Sequence, residues 1–351
     1  MVDKKYVIGL MSGTSLDGVD LVYAEFTGLQ NFKILEAETI PYTEYWCQKL
    51  KNIASNLRGS KELKALDVEL GFYFGELLLS FINRNKVKKV DLIASHGHTV
   101  HHQPEIGYTL QIGDGEEIYR KTKIKTIYNF REQDVLLGGQ GAPLVPIGDQ
   151  LLFSEYDYCL NLGGFSNVSY DENGVRKAFD ICPVNTVLNF YANQLGFEYD
   201  KNGEFSKQGV LNEILFSELN QLAFYKFSTP KSLGVEFLKK EIYPLLDKHK
   251  VSVVDVMRTF VEHVAYQLTN KLKKGAVLVT GGGAYHSFLI SRMQQLNPSL
   301  ILIIPSKEIV EYKEALVFGL LGLLKNQGLV NCLASVTGAE KDHASGVICA
   351  E

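Results

Sequence analysis

The sequence predicts an α/β protein of two similar lobes, and three observations predict it. Apolar runs of strand length alternate with stretches of helical spacing along the chain. Residues 7–10 and, much later, 158–162 each run as a strand into a glycine-containing turn and out into a second strand. Residues 275–280 form a further buried strand that ends in Gly281-Gly282-Gly283 and enters a helix-like stretch. A length of 351 residues, 46% hydrophobic and 22% charged, suffices for two packed cores.

Taken in order, residues 7–10, 21–26 and 32–40 read as strands, and 61–84 as a helix with apolar residues at helical spacing. Residues 91–95 read as a buried strand that Gly97 is expected to end, and 123–129 as another. The segment 136–146 is dense in glycine and proline, which marks a turn or crossing. The lobes are therefore drawn as 1–131 and 132–351, with the extreme C-terminus a candidate to pack back on the first. From Asp157 the pattern restarts, with strands at 158–162 and 168–170 around Gly163-Gly164. Residues 252–274 read as a long amphipathic helix and 287–296 as a shorter one. A strand, turn, strand hairpin wraps phosphates in actin-like ATPases. A duplicated fold of that kind, two-lobed and ribonuclease H-like with its active site in the interdomain cleft, would show the hairpin twice.

Composition narrows the partners. A formal charge of −4 and no basic stripe give no reason to expect nucleic acid or an anionic membrane surface. Cys47, Cys159, Cys182, Cys332 and Cys349 are odd in number and show no CxxC spacing, so neither a disulfide framework nor a cysteine zinc site is indicated. A reducing cytoplasm, a small-molecule ligand and no signal peptide or membrane span are the expectation.

The residues 9–20 carry the first chemical signal. Gly9, Gly13 and Gly18 allow close backbone approach, Ser12, Thr14 and Ser15 offer hydroxyls and amides to an anion, and Asp17 and Asp20 suit a hydrated Mg²⁺. No Gly-Lys-Ser/Thr follows, so this is no Walker A loop. Gly281, Gly282 and Gly283 lie between strand and helix, where a nucleotide could be seated and where a tight connection serves equally well. His96 and His98 have the spacing of metal ligands on one strand face, without an obvious carboxylate to complete the set, and polar lining of a substrate cleft is the stronger reading for the segment. Asp180 is placed either as a general base at a strand end or as a helix cap before Pro183. Arg131 and Glu314 either orient a polar ligand or are ordinary surface charges.

Read together, the motifs resemble the anhydro-N-acetylmuramic acid kinase family over nearly the whole chain. The pieces that carry the resemblance are residues 9–20, His96 to Val100, Thr109 to Asp114, Gly138 to Pro146, Asn161 to Val168, Thr280 to Ala284, Glu314-Ala315 and Val336 to Ala339. The resemblance implies an actin-like kinase that uses ATP and Mg²⁺, opens the anhydro bridge of 1,6-anhydro-N-acetylmuramic acid and yields the 6-phosphate and ADP. It implies Asp180 as the base that activates water. It assigns ATP contacts to Gly13, Thr14, Ser15, Leu16, Asp17, Gly18, Val19 and Asp20 with Gly163, Gly164, Gly281, Gly282 and Gly283. Sugar contacts fall on Arg131 and Glu314, with His96 and Thr99 in the polar lining, and a homodimer is implied. The chain departs from the family pattern at His98, Asn129, Ile181, Val184 and Asn189, which raises another sugar as an alternative substrate. A weakly catalytic ATP-binding switch and a metallohydrolase centred on His96 and His98 complete the alternatives.

Overall fold

The computed structural model describes residues 4–53, 59–229 and 231–350. The chain divides into two compact units, residues 1–152 with 312–351 and residues 153–311. In the first, β1 (Lys4–Ser12), β2 (Gly18–Thr27) and β3 (Asn31–Pro41) form an antiparallel meander. Beside β1 and parallel to it lies β4 (Leu92–Gln103), which carries β5 (Tyr108–Ile112) antiparallel on its later residues. A short β6 (Thr126–Tyr128) continues the parallel set. In the second unit, β7 (Tyr158–Leu162), β8 (Phe165–Glu172) and β9 (Val175–Pro183) form the meander, followed by β10 (Gly275–Thr280) and β11 (Leu300–Ile303), both parallel to β7.

The strand orders are therefore β3-β2-β1-β4-β6 and β9-β8-β7-β10-β11, with the same directions at each position. Both sheets have the ribonuclease H-like order, and the faint sequence repeat is the visible part of the two-lobed actin-like fold. Local chemistry supports each hairpin. The β8–β9 connection is Asn173-Gly174, both at positive φ (53° and 76°), the two-residue turn whose twist matches that of the strands.

Two readings of the sequence change. The boundary expected at 131/132 lies at 152/153, because Gln140 N donates to Thr337 O and Lys313 pairs with Asp149 at 3.0 Å within the first unit. The extreme C-terminus supplies one more strand of that unit's sheet, Val347–Cys349, antiparallel to β6. Gly97 does not end β4: at φ 75° it sits where β4 takes one extra residue against β1, between Ser95 and His98, and β5 holds the strand together as far as Gln103.

The helix Lys307–Asn326 was not foreseen, because its residues from Ala315 to Leu324 are apolar or glycine and almost wholly buried, with no polar face to betray a helical period. It explains Gly9. A Cβ on Gly9 would sit 1.9 Å from the carbonyl oxygen of Ala315, so this glycine is required by strand-to-helix packing rather than by a ligand. Gly9→Ala is expected to cost about 3 kcal/mol, the upper range for forcing a methyl into a packed core, and a lowered urea midpoint of unfolding checks it.

Each unit has its own core. Leu10, Leu21, Leu70 and Phe74 anchor the first, and Leu160, Phe260 and Val279 the second. No helix among the described residues is long and apolar enough to cross a membrane.

Candidate active site

Ligands of parallel α/β sheets bind beyond the carboxyl ends of the strands, and the residues singled out above gather at those ends within each unit. In the first unit β1 ends at Ser12, whose hydroxyl lies 2.7 Å from Tyr42 Oη and 2.9 Å from His98 Nδ1. The chain then turns through Gly13 to Asp17. Leu16 is at φ 61°, and Thr14, Ser15 and Asp17 are exposed, with Ser15 Oγ donating to the Asp17 carboxylate. Gly18 and Val19 belong to β2. Val19 is 0% exposed and packs in the core, so its side chain faces away from any ligand. Asp20, two residues into β2, accepts from Thr39 Oγ1 at 2.6 Å. Thr14, Ser15, Asp17 and Asp20 are thus the polar residues of the turn that a phosphate and its cation could use.

At the end of β4, His96 is locked by two contacts. Its Nδ1 meets Gly97 O at 2.9 Å and its Nε2 accepts from Arg131 Nε at 2.8 Å. Burial, then the neighbouring guanidinium, holds its pKa well below the usual histidine value, so it stays neutral. Burial likewise lowers His98 to about 4. With Nε2 of His96 engaged by Arg131 and Nδ1 turned to a carbonyl, the pair offers no shared metal site, which removes the metallohydrolase reading. Arg131 follows β6 and also donates from Nη1 to Gly141 O at 2.8 Å, which spreads its fork over two acceptors. Glu314 reaches solvent, yet the protein around it raises its carboxyl above the usual range, against the pull of Arg131. Thr99 is half-buried and accepts from Gln111 Nε2 at 3.3 Å. His96, Arg131 and Glu314 are therefore electrostatically coupled, with Thr99 further along β4.

In the second unit the turn after β7 is tied to a helix. Val184 N and Thr186 N donate to Gly164 O, and Asn185 N to Gly163 O, at 2.8–3.3 Å, which seats the start of the helix Asn185–Gln194 against the turn. Asn185 Nδ2 donates to Leu162 O at 3.0 Å. The Gly281–Gly283 turn lies alongside, at the end of β10. Gly281 at φ 78° would bring a Cβ to 2.6 Å from Asn161 Oδ1, and Gly283 one to 2.7 Å from Leu162 Cβ. Gly282 differs. It is exposed, and a Cβ there would meet nothing nearer than Asn185 Nδ2 at 3.5 Å, so the protein's own packing does not demand this glycine. Asn161 and Asn185, which brace both glycine turns, were not singled out from the sequence. Only their side-chain contacts give them away.

Asp180 lies within β9 and not at a helix terminus, which removes the cap reading; the following helix begins five residues later. Its amide donates to Lys231 O at 3.0 Å, and its Oδ2 accepts from Leu233 N at 2.7 Å. Burial raises its pKa to about 6, partly opposed by that amide. A carboxylate fixed by backbone and titrating near neutrality suits a general base. The departures nearby are structural. Ile181 and Val184 are 1% and 0% exposed in the core, and Asn129 occupies a left-handed position (φ 56°) that asparagine tolerates, its amide bonded to Glu132.

The family model for anhydro-N-acetylmuramic acid kinase matches residues 5–351. A protein of that name from Mannheimia succiniciproducens is 35% identical over 98% of this chain and 99% of its own length. Others from Shewanella sp. strain MR-4 and Shewanella putrefaciens are 33% and 34% identical, over 98% and 97% of both chains. Among solved structures, component A of (R)-2-hydroxyglutaryl-CoA dehydratase from Acidaminococcus fermentans is 14% identical, with a TM-score of 0.46 over 90% of this chain and 96% of that one. On a family match over residues 5–351 and relatives at 33–35% identity over nearly the whole chain, the chain belongs to the anhydro-N-acetylmuramic acid kinase family.

Proposed function

We propose that the chain is an ATP-dependent kinase that opens 1,6-anhydro-N-acetylmuramic acid and delivers it as the 6-phosphate for cell-wall recycling, with Asp180 as its base. Family membership supports the activity, and the observation that carries the residue assignment is Asp180 itself: strand-borne, held by two backbone contacts and titrating at about 6. Asp180 takes the proton of a water whose oxygen bonds to C1, while the C1–O6 bond breaks and O6 accepts the phosphoryl group. ATP, when bound, supplies that group. Thr14, Ser15 and the glycines 163, 164 and 281–283 would hold its phosphates, and Asp17 and Asp20 a hydrated Mg²⁺. Arg131 suits the carboxylate of the sugar's lactyl group, and His96, kept neutral by burial and then by Arg131, with Thr99 and Glu314 would meet its hydroxyls. A homodimer in the cytoplasm is part of the same reading. Because Ile181 and Val184 lie in the core, they give no support to a different sugar.

Incubation with ATP, Mg²⁺ and the anhydro sugar, followed by mass spectrometry, is expected to show the ring-opened 6-phosphate; ATP binding without that product would sink the substrate assignment. The pH profile adds a second check. The base acts deprotonated, so kcat/KM should be flat above neutrality and fall about tenfold per unit below about 6. Burial also raises Asp67 to about 6, where it accepts from Gly113 N at 2.7 Å. Asp67→Asn should leave the acid limb in place, and its disappearance there would reassign the limb to Asp67.

A further inference from the structure

We infer that Asp134, Cys332 and His343 form a binding site for one zinc-like divalent cation, separate from the residues assigned to catalysis. Their ligand atoms lie within 4.8 Å of one another, and all three residues are buried. Cys332 and His343 face each other across an isolated antiparallel bridge, Cys332 N to His343 O at 3.1 Å and His343 N to Cys332 O at 3.2 Å. Opposed residues of such a pair project to one side, which brings the thiol and the imidazole to the same point. Asp134 arrives from the helix Glu132–Leu136, its other oxygen Oδ2 held by Gly141 N at 2.7 Å. Gly139 is what lets the loop close over it, since a Cβ there would lie 2.2 Å from that oxygen.

The polar contacts around Asp134 Oδ1 leave one group unmatched. The oxygen already receives Thr337 Oγ1 at 2.7 Å and Cys332 Sγ at 2.9 Å. His343 Nε2 points at the same atom from 3.6 Å, is buried and has no hydrogen-bond partner. His343 Nδ1 meets Lys341 O at 3.0 Å, which makes Nδ1 a donor, and in the neutral ring the Nε2 lone pair then faces an oxygen that already accepts twice. Histidines that ligate metals are held in this way, with the far ring nitrogen donating to a backbone carbonyl. A divalent ion between the three atoms would receive the Nε2 lone pair. It would also displace the thiol proton and leave a site of zero net charge from one carboxylate, one thiolate and a neutral imidazole. Carboxylate, thiolate and imidazole together suit zinc rather than Mg²⁺ or Ca²⁺, and Thr337 Oγ1, 2.7 Å from Asp134 Oδ1, is a protein oxygen at hand for a fourth position. Asp134 lies 198 positions from Cys332, and only one ligand is a cysteine, so the CxxC spacing sought in the sequence could not find the set.

The full-length protein, loaded with ZnCl₂ and exhaustively desalted, should retain about one zinc per chain by mass spectrometry of the metal. Its cobalt form should show the intense visible bands of tetrahedral coordination and a near-ultraviolet sulfur-to-cobalt charge-transfer band. Cys332→Ser and His343→Ala should each weaken retention at least ~100-fold, while Cys47→Ser and Cys349→Ser leave it unchanged. If either ligand variant fails to fold, X-ray absorption of the zinc-loaded native protein serves instead and should show one sulfur at about 2.3 Å. Below ~0.1 zinc per chain, an octahedral cobalt spectrum, a zinc shell without sulfur or full retention in Cys332→Ser would each overturn the site.

Discussion

Asp180→Asn is expected to lower kcat by about 10²–10⁴-fold with little change in KM for ATP, and at the same time to raise the melting temperature. The first effect follows from the role proposed for the base: the carboxamide keeps the size and the acceptor for Leu233 N but cannot take a proton from water. The second follows from the same burial that tunes the base. Asp180 in the folded chain titrates at about 6, above its ordinary 3.8, so the folded state binds more protons than the unfolded chain between those values. Stability from this group is therefore full below about pH 4 and is lost as pH rises towards 6. At neutral pH the charged carboxylate costs about 1–2 kcal/mol once its partial exposure is discounted. Asparagine removes that cost, and a rise of a few degrees at pH 7.5 should shrink towards zero near pH 4. Calorimetry at the two pH values with parallel turnover assays checks both halves. Near-native turnover would refute the base assignment, and an unchanged or lowered melting temperature at pH 7.5 would refute the burial argument.

The contrast between Gly9 and Gly282 shows what a sequence can and cannot disclose about this site. Both read as glycines of ligand turns, yet Gly9 is demanded by Ala315 O at 1.9 Å, while Gly282 has open space where its Cβ would be. A glycine's reason lies in what approaches it, and here the approaching helix is some three hundred residues away. The fold was legible because hairpins are local: strand, glycine turn, strand can be read within twenty residues, and the three strands of the first meander and the first two of the second were. The parallel additions β4, β6, β10 and β11 rest on distant pairings, which is why β4's passage through Gly97 and the strand β11 were not legible. Asp180 shows the same limit. Its position at the end of an apolar stretch suggested a base or a cap equally; its place inside β9 removes the cap, and the contact that fixes its carboxylate comes from Leu233, 53 residues later. The departures at Ile181 and Val184 looked like changes to a binding pocket, and burial shows them to be core packing.

Arg131→Ala is expected to lower kcat/KM for the anhydro sugar by about 30–1000-fold, mostly through KM, and Arg131→Lys to recover only part of it. The size corresponds to the roughly 2–4 kcal/mol lost when one member of a buried charged hydrogen-bond set is truncated. The partial rescue follows from geometry. Arg131 donates from two separate nitrogens, Nε to His96 Nε2 and Nη1 to Gly141 O, both at 2.8 Å, and a lysine ammonium is a single point that cannot span both acceptors while facing an anionic sugar. Its loss also removes the second cause of the lowered His96 pKa; burial, the first, remains, so the imidazole should titrate higher than in the native chain yet stay below the usual value. Proton NMR of the histidine ring reads that shift independently of catalysis. Guanidinium added to Arg131→Ala should restore part of the activity if the fork itself binds the sugar. A normal KM for the sugar in Arg131→Ala, with the His96 shift present, would mean that Arg131 only braces His96 and Gly141, and the lactyl contact would have to pass to another residue.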